Sequence, residues 1–361
     1  MKQERNYGID LLRIVSMFMI VILHTLGHGR VIKSAVPMSA QYNAGWLLEC
    51  AAFCAVNCFA LVSGYVGLRS RFKLSGIAAL WLQVVFYHAI CTVLWAVTEN
   101  RVVDWELIKS ALQPVKNGAY WYYTAYLGIS FIVPLVNAAV EQLDRRTLIL
   151  CAAGLILLFS VYAAVERTDI FKLNTGYHSL WLLILYLLGA CIRKIDPLPK
   201  WGKGVWAMVY VGAVLLTWGS LMLNNHLKAA HPGETLKLID LIQYTSPTVL
   251  LSAIALVMLF SKLIPGSLSR KLIGLVSPLT FGVYLIHDSP FIRNTFMMGR
   301  MAEAAADAVP VMLAKVIAFA AAVFVSCLLI EYIRSKLFQW LHIRELLNKA
   351  EAALFRKKDS V

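Results

Sequence analysis

The sequence predicts an all-α integral membrane protein, a bundle of about ten transmembrane helices with both termini in the cytoplasm. Three observations predict it. Of the 361 residues, 60% are hydrophobic and only 15% charged, with a mean hydropathy of +0.68, against about 45–50% apolar and about 25% charged residues in soluble domains. The apolar residues gather into stretches near the 20 or so that ~30 Å of hydrocarbon requires. Finally, the basic residues alternate from loop to loop. The N-terminus, the even-numbered loops and the tail hold 21 of the 34 Lys and Arg, counting Lys271 at the edge of its span. The odd-numbered loops hold 11, and Arg13 and Lys315 lie in spans. The basic side is cytoplasmic by the positive-inside rule.

The elements follow in order. Residues 9–27 form the first span; the charged N-terminus is followed by an apolar stretch too long for a signal peptide, with no small-residue cleavage site. Segment 44–66 descends from outside with Glu49 near its outer end and reaches a basic loop, Arg69, Arg71 and Lys73. Segments 76–97, 120–140 and 147–165 follow, the second of them opening with YWYY, Tyr120 to Tyr123. Segment 179–192 is short and ends at Arg193 and Lys194, with Lys200 and Lys203 beyond. Segments 204–223 and 245–261 precede Lys262, Arg270 and Lys271. Segment 271–287 contains Pro278 and ends outward at VYLIHD; 310–333 is the last. The tail 335–361 alternates apolar and charged residues at helical spacing. It reads as an amphipathic helix on the cytoplasmic leaflet ending in a basic cluster, or equally as a solvated tail.

A net charge of +14 scattered among loops is a topology signal, not a nucleic-acid-binding face. All seven cysteines lie in apolar segments, which argues against a disulfide framework. Cys50, Cys54 and Cys58 share one helix face, where small-residue packing explains them better than a soft metal.

Ionisable residues at membrane depth usually face the bundle interior and mark function. At about 100° per residue, Asp10, Arg13 and His24 fall within a stripe about 60° wide, Arg13 and His24 nearly eclipsed and about 16 Å apart along the axis. Such a stripe suits a helix lining a cavity. Taken alone, Asp10 and Arg13 equally suit an ion pair at the helix start, and His24 a buried histidine bonded to a carbonyl. The outer ends of other spans add Glu49, Trp121, Tyr122, Tyr284, His287 and Asp288. If these meet His24, the chemistry is proton abstraction from an alcohol, with a carboxylate steadying the imidazolium. No close pair of His or carboxylate residues is read as having metal-ligand spacing, so no metal is assigned. At the other end, the loop SGYVGLRSRFK (Ser63 to Lys73) and Arg13 suit a phosphorylated cytoplasmic molecule, although topology alone explains a basic loop. A phosphate-binding mouth inside and an imidazole near the outside suit passage of an activated group from a thioester donor.

Arg13 and His24, with ten residues between them, resemble the R-x10-H signature of the acyltransferase family 3 membrane proteins. NCFALVSGYVGL (Asn57 to Leu68), WYYTAYLGISFIVPLVN (Trp121 to Asn137) and FGVYLIH (Phe281 to His287) resemble further motifs of that family in the same order. The resemblance implies a transmembrane acyltransferase domain over 1–334 in a bacterial cytoplasmic membrane. It also implies transfer of an acyl group, usually acetyl from acetyl-CoA, to hydroxyls of exported or lipid-linked glycans. The histidine and arginine matching His24 and Arg13 are held essential in the family, and the arginines matching Arg69 and Arg71 are implicated. Many relatives carry WSLxxE where this chain has WYYTAY, Trp121 to Tyr126, so one candidate carboxylate is missing. No esterase-like domain follows, which places the chain with the stand-alone branch.

His24 is thus expected to be catalytic, with Glu49 and His287 as partners and Asp10 as the structural partner of Arg13. Arg13, Arg69, Arg71, Lys73 and Tyr65 are expected to hold the acyl-CoA donor, and Trp121, Tyr122, Tyr284 and Asp288 to line the acceptor path. Membrane lipids and a sugar acceptor are the other expected partners. Three rivals stay open: a transporter of an acyl donor or small polar solute, the membrane half of a racemase-type resistance enzyme, and a non-catalytic membrane sensor. A transporter would show inverted repeats, which the sequence lacks.

Overall fold

The computed structural model describes residues 5–195, 201–234 and 238–356, and among these the regular structure is all helix, without strands. Each of the ten apolar segments falls on helix. The helices are α1 Tyr7–Gly27, α2 Ala40–Phe53, α3 Ala55–Gly67, α4 Leu74–Thr98, α5 Trp121–Ser130, α6 Val133–Gln142 and α7 Arg145–Ile156. They continue with α8 Ser179–Ile195, α9 Lys203–Ala230, α10 Pro247–Ser261, α11 Ser267–Val276, α12 Thr280–His287, α13 Val309–Trp340 and α14 Ile343–Arg356. Among the described residues six helical stretches are long and apolar enough to cross a membrane, or eight if two bent pairs each count as one span. The bends measure 58° between α5 and α6 and 61° between α11–α12 and the short helical segment Pro290–Met297. Each has a proline in the first turn after the break, Pro134 and Pro290, where a missing N–H costs least. Helices α8 and α10, at 17 and 15 residues, are shorter.

α1 lies at the centre, with 67% of its apolar window buried against 11% for the stretch Arg145–Glu166 and 22% for α9 and α13. Those outer helices expose large apolar side chains such as Leu150, Leu216 and Ile333, as lipid-facing helices do. Asn6 caps α1 by accepting from Ile9 N–H at 3.1 Å and donates to the Ser261 carbonyl at 2.9 Å, fixing the helix start against the end of α10. α3 and α8 pack at backbone distance. A Cβ on Gly64 would overlap the Tyr186 carbonyl, and one on Gly189 the Leu61 carbonyl. Beside them Asn57, fully buried, donates to the Tyr244 carbonyl at 2.8 Å and accepts from Trp181 Nε1 at 3.2 Å.

A buried polar knot joins α4, α12 and α13. The Glu331 carboxylate accepts from Gln83 at 3.1 Å, from Tyr87 at 2.6 Å and from two nitrogens of Arg334 at 3.0 and 2.5 Å. It lies against Gly282, where a Cβ would overlap it. The cysteines are free, and Cys50, Cys54 and Cys58 are buried where the chain breaks between α2 and α3. α13 runs on to Trp340, past the end of the apolar stretch. α14 then turns back onto the start of α4, where Glu351 accepts from Leu74 N–H at 2.7 Å. The basic end of the tail, Lys357 and Lys358, lies outside the described residues, as does Lys200.

Candidate active site

His24 stands in the last turn of α1 and His287 ends α12. Their rings meet, Nδ1 of His24 lying 2.9 Å from Nε2 of His287. On its other side His287 Nδ1 lies 2.6 Å from the Val283 carbonyl. A carbonyl only accepts, so Nδ1 of His287 carries the proton. With both rings neutral, His287 Nε2 then accepts from His24 Nδ1–H. The lone pair on His24 Nε2 is left for another molecule. His287 is fully buried and His24 keeps a side-chain exposure of 23%.

The helix break after His287 builds the rest. Pro290 starts a new helical direction, and Ser289 turns the chain by donating to the Ile286 carbonyl at 2.9 Å and accepting from Ile292 N–H at 3.3 Å. Asp288 is thereby held beside the imidazoles. One of its oxygens lies 3.8 Å from His24 Nδ1, 4.0 Å from His28 Nε2 and 3.4 Å from Arg293 Nη1. A carboxylate there favours positive charge on the rings, and Arg293 balances it when they are neutral. His24, His28 and Asp288 also offer three donor atoms within 4.8 Å of one another, close enough to hold a cation.

His24 and His28 open onto a cavity of about 230 Å³ whose other walls include Glu49, Phe53, Trp121, Tyr122, Tyr177, Tyr244 and Tyr284. The aromatic rings brace one another: Trp121 lies 4.5 Å from Tyr177, and Phe53 stacks on Tyr244 at 4.7 Å between centroids. One oxygen of Glu49 and the Tyr284 hydroxyl are buried without a hydrogen-bond partner among the described residues. An acceptor and a hydroxyl in that condition are costly unless a ligand meets them.

His24, His287, Glu49, Trp121, Tyr122 and Tyr284 therefore come together at one end of α1, the meeting that the sequence leaves open. Asp288 joins them as the neighbour of three cationic or ionisable side chains and is itself only 7% exposed. The other expected residues lie elsewhere. Asp10 does contact Arg13, at 3.4 Å, but its shorter bond is to Arg5 at 2.5 Å, and Ser277 donates to it at 3.3 Å. The Tyr65 hydroxyl accepts from Arg193 at 3.1 Å, whose guanidinium also lies 5.0 Å from the ring centroid. Arg69, Arg71 and Lys73 are exposed in the turn before α4. Arg69 lines a separate surface cavity of about 330 Å³ with Asn137 and Glu141. None of these lines the cavity of His24.

Three residues of consequence escape sequence reading. His28 carries a legible signal: it follows His24 by four residues and shares its helix face. Arg293 follows Asp288 by five residues, beyond a proline, and only the bend brings it back. Glu331 reads as the charged end of a span, although the structure buries it.

Comparison with known proteins bears on this geometry. The family model described as acyltransferase domain (acyltransferase 3) matches residues 6–331. No curated protein and no solved structure matches the chain.

Proposed function

This chain belongs to the acyltransferase 3 family, and on that premise we propose that it is a membrane O-acyltransferase. In our reading it moves an acetyl group from cytoplasmic acetyl-CoA to a hydroxyl of an extracytoplasmic or lipid-linked glycan. The observation that carries the proposal is the oriented pair of imidazoles. His287, locked by the Val283 carbonyl, holds the His24 Nδ1 proton and leaves the Nε2 lone pair at the wall of an aromatic cavity.

The reaction follows from that lone pair. His24 Nε2 takes the proton of the acceptor hydroxyl while its oxygen attacks the thioester carbonyl carbon. The carbon–sulfur bond breaks, and the leaving thiolate recovers the proton from the imidazolium. Asp288 stabilises the transient positive ring from 3.8 Å. Aromatic side chains such as Trp121 and Tyr122 offer faces for a sugar ring. Arg13, with Arg69, Arg71, Lys73 and Tyr65 toward the basic mouth, serves the donor's phosphates. Ten spans with both termini cytoplasmic, in a bacterial cytoplasmic membrane, accommodate this arrangement. α8 and α10 are then the short spans, and the basic bias of the even-numbered loops supports the orientation.

The test uses purified protein, radiolabelled acetyl-CoA and a panel of glycan acceptors. Wild type labels at least one acceptor, and His24→Ala lowers the rate by about 10²- to 10⁴-fold. Equal labelling by both proteins, or none by either, overturns the proposal.

A further inference from the structure

The cluster beside His24 forms a three-donor set, of which acyl transfer uses His24 and Asp288 and leaves His28 without a role. His24 stands in the last turn of α1 and His28 caps its C-terminus four residues on, their ring centroids 4.9 Å apart. Each has a nitrogen near the same Asp288 oxygen, at 3.8 and 4.0 Å, that of His24 being the Nδ1 bonded to His287. Donor atoms around a tetrahedral Zn²⁺, each about 2.0–2.1 Å from the metal, lie about 3.3 Å from one another. Closing the observed spacing requires side-chain shifts of under about 1 Å. The two histidines keep side-chain exposures of 23% and 32%, so they have room to make them. Two imidazoles and one carboxylate suit Zn²⁺ better than Mg²⁺ or Ca²⁺, which prefer all-oxygen cages. The cavity gives an open side for a water or exchangeable ligand.

One feature opposes a cation here. The Arg293 guanidinium lies 3.4 Å from Asp288 and already neutralises it. An arriving dication must push that side chain aside or share the carboxylate with it, and side-chain exposure of 31% leaves Arg293 a way out. Arg293 therefore sets the affinity of the site.

We propose that His24, His28 and Asp288 form a Zn²⁺ site on the cavity wall, with Arg293 as its built-in competitor, and that Zn²⁺ bound there switches off His24. Binding needs only the three donors. The inhibitory clause rests on the reading of His24 as the base. Coordination at either ring nitrogen ends that role. At Nε2 the metal takes the lone pair itself. At Nδ1 the ring proton must move to Nε2, and the bond to His287 breaks.

Isothermal titration of the detergent-solubilised full chain with ZnCl₂ at neutral pH tests the binding. We expect one tight ion per chain, at least tenfold weaker binding in His28→Asn, and at least tenfold tighter binding in Arg293→Gln. Misfolding would expose free cysteines that themselves bind Zn²⁺, so both variants are first required to melt within a few degrees of wild type in detergent, and a variant that does not is replaced by His28→Gln or Arg293→Met. No heat above the detergent blank, or wild-type affinity in His28→Asn, overturns the site; unchanged affinity in Arg293→Gln overturns the competition. A parallel acetyl-transfer assay with added Zn²⁺ reads the inhibition. If transfer itself is absent, the titration still decides the site, so the two readings fail separately.

Discussion

The Val283 carbonyl fixes the proton on His287 Nδ1, and through it the tautomer of His24, a ring it never touches. Replacing His287 by Leu should leave the His24 ring in place but free its Nδ1–H of a partner. The ring can then present either tautomer to the cavity. We expect acetyl-transfer kcat to fall by about 10- to 10²-fold, less than on loss of the base. The donor KM should be unchanged. His287→Gln, whose amide oxygen can accept the same proton, should restore part of the rate; identical kinetics in the two variants would sink the orienting role. At this scale much of the site was legible in the sequence. The near-eclipse of Arg13 and His24 on one helix face points to His24 only together with the polar outer ends of other spans and the family resemblance, and the outward polar end VYLIHD points to His287 and Asp288. Arg5 was not legible, because nothing in the chain says that a residue before the helix reaches back to Asp10. His28 is legible by its spacing, four residues after His24, where it caps the end of α1.

Among the elements, α12 matters most, because it delivers His287. Its register is held by the Glu331 carboxylate lying against Gly282. That carboxylate is pinned by Gln83, Tyr87 and Arg334 and cannot withdraw. Gly282→Ala should therefore destabilise by about 1–3 kcal/mol through overpacking, read as a lower melting temperature in detergent. Gly189→Ala, which presses on a backbone carbonyl, should cost at least as much. Wild-type melting in both would refute the close packing. The glycines were visible in the sequence but not their neighbours, since helix contact partners lie up to hundreds of residues away. α14 docks by a gentler device. The Ser75 hydroxyl first, then the N–H groups of Leu74 and Ser75, hold the Glu351 carboxyl below its ordinary range. A carboxyl whose pKa is lowered on docking stabilises docking fully above its free pKa, and the contribution is lost as pH falls through the lowered value. A spin-label distance between α14 and α4 should lengthen on acidification toward pH 4 or below. It should do so at neutral pH in Glu351→Gln. A distance unaffected by either change would exclude Glu351 as the latch.

Taken whole, the molecule shows why hydropathy finds the apolar segments without fixing how many of them span. A window averaged over about 20 residues cannot see the breaks at Phe131–Ile132 or Asp288–Ser289, and it scores buried α8 like a lipid-facing helix. Orientation is open to measurement by reporter fusions at the two termini. The path of the proton leads to a separate consequence. His287 spends one nitrogen on Val283 and the other on His24, so His287 itself does not carry a proton from His24 onward. In the proposed reaction the proton that the imidazole lifts from an alcohol returns through the same cavity to the departing thiolate. The catalytic cycle is then closed with respect to protons and needs no energised membrane. Acetylation by sealed vesicles supplied with acetyl-CoA should run at the same rate before and after an uncoupler collapses the gradient. A rate that tracks the gradient would mean that the ring pair is a conduit and not a dead end.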